Sequence, residues 1–253
     1  MQKVKILNSF ISKGTFQEFI EQIFNLVGAK KSSYVCFANV HMVIEAYRDA
    51  SFNKVLSQAD LVTPDGAPVS KVMSWFYKYT QDRVAGMDLM PLLLVEAEKR
   101  NKSVYFYGST DEVLSGIVER TNRELPNLRV AGVYSPPFRK LSQEEDQEIV
   151  NRINSSGADL VFVALGCPKQ ENWMATHMDR INGCMLGVGQ AFLVYAGLEK
   201  RLPKWARDYC LEWVYRLYLE PGRLWKRYLY TNSLFLFLVT KLAFTKSGRT
   251  ITN

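Results

Sequence analysis

The chain has little from which to build a metal or redox centre. Its 253 residues include two histidines, His41 and His177, and four scattered cysteines, Cys36, Cys167, Cys184 and Cys210, with no Cys-x-x-Cys pair. That excludes a histidine-built metal site and a zinc ribbon. It also argues against a disulfide framework and for a reducing compartment. No Walker A sequence, no Gly-x-Ser-x-Gly and no His-Glu-x-x-His is present, which removes the P-loop, hydrolase-elbow and zincin classes. Asp-x-Asp is missing as well. Charge on a diphosphate would then have to be met by Arg, Lys and backbone N–H groups, with no metal ion and no cofactor. The opening MQKVKILNSFISKG lacks the long apolar stretch of a signal peptide. Near the other end, the apolar run Leu234–Val239 is six residues long, against the roughly 20 that a spanning helix needs.

What is present is an alternation of strands and helices. Phe16, Phe19, Ile20, Ile23, Phe24 and Val27 follow helical spacing, and Thr15 with Glu18 forms a capping box at the start. Strands are expected at 33–40, 59–66, 102–109, 128–136, 158–166 and 183–192, several of them continuously apolar. Helices fall between them, around 41–58, after Ser109 and Glu112 as a cap, after Ser142 and Glu145, and over 170–181. The pattern predicts a mostly parallel α/β sheet, Rossmann-like, with helices on both faces.

The composition shifts near Gly197. Residues 1–200 carry 22 Lys/Arg and 22 Asp/Glu, whereas residues 201–253 carry 10 against 3, so the whole net charge of +7 lies at the end. Three of the five tryptophans, Trp205, Trp213 and Trp225, are there too. The expectation is an α/β catalytic domain over 1–197 and a helical appendage over 198–253. A basic, aromatic and apolar helix suits an anionic membrane surface, with Trp and Tyr at headgroup level. A helical pair packed on the core is the plainer alternative. Nothing resembles a nucleic-acid module, so no nucleic-acid partner is expected.

In such sheets ligands sit at the carboxyl ends of strands. Asn39 ends the first strand, Asp65-Gly66 the second, Gly108-Ser109-Thr110 the third, and Gly166 to Glu171 follows the strand over 158–166. Asp65, between Pro64 and Gly66, would be presented by a tight turn, where a carboxylate can take a proton from an attacking hydroxyl. On pattern alone, a plain Asx turn is the commoner origin of such a sequence. Gly187-Val188-Gly189 begins like a dinucleotide fingerprint but lacks the third glycine. Arg83 lies in a loop before a helix, where a guanidinium could fork onto a phosphate.

The ordered set of Asn39, Asp65-Gly66, Arg83-Val84-Ala85-Gly86-Met87-Asp88, Gly166-x-Pro168-Lys169-Gln170-Glu171-x-Trp173, Gly187-Val188-Gly189, Glu212-Trp213-x-x-Arg216-Leu217 and Glu220-Pro221-x-Arg223 resembles the WecG/TagA/CpsF glycosyltransferases. The resemblance runs from about residue 37 to 228. It implies inverting, metal-independent transfer of a hexosamine-type sugar, such as N-acetylmannosamine, from a UDP-sugar to a sugar on polyprenyl diphosphate. It implies Asp65 as general base. Asn39, Arg83, Gln170, Gly187 and Gly189 would line the site, and Arg216 and Arg223 would reach the diphosphate. It places the enzyme on the cytoplasmic face of the membrane, in cell-surface polysaccharide synthesis, with a homo-oligomer left open. Three departures stand out: Phe37 where many relatives carry Thr, Gln190 in place of a small residue in the glycine turn, and Leu202 where Ala is usual. Two other classes remain open, a Rossmann-type nucleotide-cofactor enzyme and a catalytically silent membrane-docking partner.

Overall fold

The computed structural model describes residues 1–29, 32–201, 206, 211–219 and 221–249. The chain opens with a hairpin, β1 (Lys3–Ile6) and β2 (Ser9–Ser12), paired antiparallel. The main sheet follows: α1 (Phe16–Ala29), β3 (Ser32–Ala38), α2 (Val40–Arg48), α3 (Ala50–Gln58), β4 (Leu61–Pro64), α4 (Ala67–Tyr77), α5 (Gly86–Lys99), β5 (Val104–Gly108), α6 (Asp111–Glu124), β6 (Val130–Tyr134), α7 (Gln143–Ser156), β7 (Leu160–Ala164), α8 (Lys169–Thr176), β8 (Gly183–Gly187) and α9 (Ala191–Tyr195). Two helices close the described chain, α10 (Glu212–Leu219) and α11 (Pro221–Arg249).

Six strands form one sheet in the order β4-β3-β8-β7-β5-β6, and every adjacent pair is parallel. Successive strand residues point to opposite faces, which divides the core in two. Tyr34, Cys36, Tyr105, Tyr107, Val161 and Val163 face one layer with α2, α3, α7 and α8. Val35, Phe37, Phe106, Leu160, Phe162 and Leu186 face the other with α1, α5, α6 and α9. This is the expected Rossmann-like arrangement, with both faces covered.

The amino-terminal hairpin was not legible in the sequence. It lies against the outer strand β4, where the Val62 N–H donates to Ser12 Oγ at 3.1 Å and Lys3 Nζ donates to the Ala59 carbonyl at 2.6 Å. An open sheet edge is thereby covered. The two capping boxes are present. Thr15 and Glu18 exchange bonds of 2.7 and 3.3 Å, and Ser142 and Glu145 exchange bonds of 2.9 and 3.2 Å.

One cap is displaced. Ser109 was expected to start α6, but it sits in the left-handed region at φ 62°, where it cannot serve as an extended N-cap. Thr110 takes the position, its Oγ1 accepting from the Val113 N–H at 3.4 Å.

The described residues from Glu212 to Arg249 are helical, as expected. Thr231, Phe235, Leu238 and Val239 of α11 are buried, and the last three join the core layer that contains α2. Leu236 and Phe237 are exposed. The run Leu234–Val239 is therefore divided between protein and surroundings. No helix among the described residues is long and apolar enough to cross a membrane.

Candidate active site

The turns after β3, β4, β5, β7 and β8 converge on a cleft of about 690 Å³. Each turn is shaped by identifiable backbone chemistry.

After β4, the Asp65 N–H donates to the Ala38 and Thr63 carbonyls, both at 3.0 Å. Gly66 follows at φ 103°, a conformation open to glycine and strained for other residues. The chain must reverse here before α4 begins, and the reversal leaves the Asp65 side chain half-buried on the cleft wall. After β3, Asn39 caps α2: its Oδ1 accepts from the Met42 N–H at 3.1 Å. Such a cap contributes about 1 kcal/mol. Asn39 therefore lines the cleft and starts the helix whose first turn, Val40 to Met42, lines it as well.

Gln170 binds the two glycine turns together. Its Nε2 donates to the Gly187 carbonyl at 2.7 Å and to Glu171 Oε1 at 2.7 Å. Its Oε1 accepts from the Gly166 N–H at 3.2 Å. At Gly187 a Cβ would stand 2.7 Å from Met174 Cε and 3.1 Å from Gln170 Nε2, and at Gly189 it would stand 3.3 Å from Gln170 Oε1. The glycines thus make room for the carboxamide, which explains the partial fingerprint without a dinucleotide. Behind it, Glu171 is wholly buried. Burial pushes its carboxyl up to about 7, outweighing the hydrogen bonds from Gln170, its own backbone and Cys167.

The other expected residues lie elsewhere or outside the description. Arg83 is not among the cleft-lining residues. Its Nη1 pairs with Asp88 Oδ2 at 2.6 Å, and Arg201 pairs with the other oxygen of Asp88. Arg216 and Arg223 fall in α10 and α11, and their side chains lie outside the described residues. Phe37 does border the cleft, but it is buried, with its ring in the second core layer. Gln190 lines the cleft while its Nε2 donates to both Glu199 oxygens, at 2.8 and 2.7 Å.

Sequence reasoning missed several residues of the wall. Trp213, Tyr228, Thr231 and Asn232 reach it from α10 and α11, and Phe138 from the loop after β6. Long-range contacts of this kind leave no local pattern. His41, two residues after Asn39 on the first turn of α2, lines the cleft as well. No group of three or more His, Cys, Asp or Glu side chains placed to hold a metal ion occurs among the described residues.

The model of the glycosyl transferase WecG/TagA/CpsF family matches residues 4–249. The chain belongs to that family. It is a glycosyltransferase, as its sequence motifs implied. Relatives named N-acetylglucosaminyldiphosphoundecaprenol N-acetyl-beta-D-mannosaminyltransferase include those of Bacillus spizizenii strain W23, 36% identical over 200 residues (79% of this chain and 76% of the relative), and Bacillus subtilis strain 168, 32% identical over 217 residues (85% and 81%). That of Staphylococcus aureus strain NCTC 8325 is 28% identical over 239 residues (93% and 91%).

Proposed function

We propose that this glycosyltransferase moves an N-acetylmannosamine-type sugar from a UDP-sugar to the N-acetylglucosamine of a polyprenyl-diphosphate acceptor, with inversion and without a metal ion. The observation that carries the reading is the placement of Asp65. Its carboxylate stands on a glycine-dependent turn in the same cleft as the Gly187–Gly189 turn, in a chain whose relatives are named for this transfer.

The acceptor hydroxyl is a poor nucleophile. Asp65 takes its proton as the oxygen attacks the anomeric carbon, and the bond from that carbon to the UDP oxygen breaks on the opposite face. A direct displacement with one carboxylate base inverts the anomeric centre, because no enzyme–sugar intermediate forms. Charge gathers on the leaving diphosphate, so preorganised donors there lower the barrier. Arg216 and Arg223, carried over from the family pattern, are assigned to that task, whereas Arg83, paired with Asp88 away from the cleft wall, is not. A lipid-linked acceptor brings the enzyme to the membrane surface, which we place at the cytoplasmic face, with the exposed aromatic residues of α10 and α11 as the contact.

The deciding experiment incubates the protein with a panel of UDP-sugars and a short polyprenyl-diphosphate-N-acetylglucosamine, and weighs the product. A mass increase of one N-acetylhexosamine, with UDP released, supports the assignment. No product from any UDP-sugar would refute it.

A further inference from the structure

Helix α11 docks one stripe of its surface on the α/β body, and the stripe changes character along its length. Phe235, Leu238 and Val239 are buried in the core layer that contains α2. Tyr228, Thr231 and Asn232 continue the stripe toward the amino end, at spacings of three and four residues, and there it forms part of the cleft wall. The docking is reinforced beside them, where the Arg48 guanidinium of α2 lies 5.0 Å over the Tyr230 ring. Packing alone asks for an apolar stripe on such a helix. Asn232 breaks that rule. It is half-buried, and its Nδ2 is shut off from solvent with no hydrogen-bond partner. A buried amide left unpaired destabilises the free protein. Such a group in a native chain calls for an explanation, and its place on the cleft wall supplies one.

We propose that Asn232 binds the acetamido group of a hexosamine in the cleft, with Nδ2 donating to the acetyl carbonyl and Oδ1 accepting from the acetamido N–H. The Cβ–Cγ torsion of asparagine is broad, so a turn of the carboxamide brings Nδ2 to the cleft. A carboxamide carries a donor and an acceptor side by side, and an acetamido group presents the complementary pair in one plane. A sugar hydroxyl is a single atom and cannot span both. The described side chains that α11 brings to the wall are uncharged, which suits a neutral amide better than a phosphate. The inference rests on the proposed function for the presence of N-acetylated sugars. Two sources share this chemistry, the N-acetylglucosamine of the lipid acceptor and the N-acetylmannosamine-type donor. Leu236 and Phe237 are exposed on the next turn of the same helix, where a lipid-linked sugar would arrive, and this favours the acceptor.

The test uses the full chain with Asn232→Leu, which is close in size and has no hydrogen-bonding group. Calorimetry, which needs no turnover, compares two ligand pairs. One pair is a short polyprenyl-diphosphate-N-acetylglucosamine and its glucose counterpart. The other is UDP-N-acetylmannosamine and UDP-mannose. Wild type should prefer the acetamido member of one pair, and Asn232→Leu should reduce that preference about tenfold while binding the hydroxyl member as before. Loss in the lipid pair assigns the acceptor, and loss in the UDP pair assigns the donor. The melting temperature of Asn232→Leu should equal or exceed that of wild type, because the unpaired amide is gone. A residue that merely held the helix would lower the melting temperature and leave both preferences unchanged, and that result would overturn the proposal. So would a wild type with no acetamido preference in either pair. Asn232→Ala gives the same readout should leucine not be accommodated.

The transfer reaction is scored separately. Product formed by wild type, with acetamido preferences that survive in both variants, overturns the role of Asn232 and leaves the proposed function standing. No product from wild type, with a preference that the variants lose, refutes the transfer and keeps Asn232 as an acetamido-binding residue.

Discussion

Gln170 Nε2 donates to the Gly187 carbonyl at 2.7 Å, across the gap between the turns that follow β7 and β8. The same carboxamide accepts from Gly166, so one buried side chain sets the spacing of the cleft floor. Gly187→Ala would press a Cβ against Met174 Cε and the carboxamide. Overpacking of this kind typically costs about 1–3 kcal/mol. Met174 is flexible and can yield, whereas Gln170 is held by three bonds. The expected result is a modest fall in melting temperature and a larger fall in UDP affinity, read by thermal unfolding and calorimetry. Wild-type affinity in a folded Gly187→Ala protein would show that the floor spacing does not matter to the donor.

Asp65→Asn should leave the turn intact, because the turn is built by the backbone of Asp65 and by Gly66. Folding and UDP binding are therefore expected to persist while turnover drops. General-base loss typically costs about 10²–10⁴-fold. The measurement is kcat at saturating substrates. Near-normal kcat would remove Asp65 from the chemistry and return it to the plain-turn reading.

Most of the layer structure was readable because period and capping agree in this sequence. The runs at 33–40 and 158–166 are apolar on both faces, and they became the interior strands β3 and β7. The amino-terminal hairpin was not legible because its strands are four residues each, too short for the alternation of KVKI to stand out as a strand signal. Their pairing is stabilised by contacts with β4 far along the chain. At the site, residues that close a strand were found at once, since position in an α/β sheet locates them. Gln170 was identified as lining the site, but its bonds to Gly166 and Gly187 depend on β7 and β8 being neighbours. That adjacency is not visible in the order of strands along the chain.

Glu171 makes stability depend on pH in a defined direction. Its ordinary value of 4.5 is raised to about 7 by burial, so the folded state favours the protonated carboxyl. Its stabilising contribution is complete below pH 4.5 and is lost as pH rises toward 7. The raised value corresponds to about 3 kcal/mol over that window. Glu171→Gln keeps the shape, retains an acceptor for Gln170 Nε2 and removes the titration. Its stability relative to wild type should therefore improve between pH 5 and pH 8, as followed by denaturant midpoints. A constant difference across that range would show that Glu171 does not titrate there.

Activity is expected to survive EDTA. The sequence offers neither Asp-x-Asp nor clustered histidine, and arginine and backbone N–H groups are proposed to meet the charge on the diphosphate. Abolition by EDTA, with rescue by magnesium or manganese, would reveal a carboxylate site and displace the metal-free mechanism.

The carboxy-terminal helix α11 carries two apolar faces with different work. Thr231, Phe235 and Leu238 recur at spacings of four and three and are buried against the protein. Trp225, Leu229, Leu236 and Phe244 recur on the other side and are exposed, as is Phe237. An exposed apolar face on a basic segment is suited to a headgroup layer. The segment after residue 200 has 10 Lys/Arg against 3 Asp/Glu. Each Lys or Arg near an anionic surface contributes about 1 kcal/mol, screened by salt. The two faces can be tested apart. Phe235→Ala should lower stability by about 3–5 kcal/mol, the usual cost of emptying a buried phenylalanine site, whether or not lipid is present. Leu236→Asp with Phe237→Ser should leave the melting temperature near wild type and sharply reduce co-sedimentation with anionic vesicles. Truncation before Thr231 would be a poor substitute, because it removes the buried face along with the exposed one. Full-length protein should bind anionic vesicles at low salt, release at high salt and bind neutral vesicles weakly. If it ignores anionic vesicles at low salt, or if the double variant binds them as well as wild type, the exposed face is not a membrane contact. Helix α11 would then serve only to wall the cleft through Tyr228, Thr231 and Asn232.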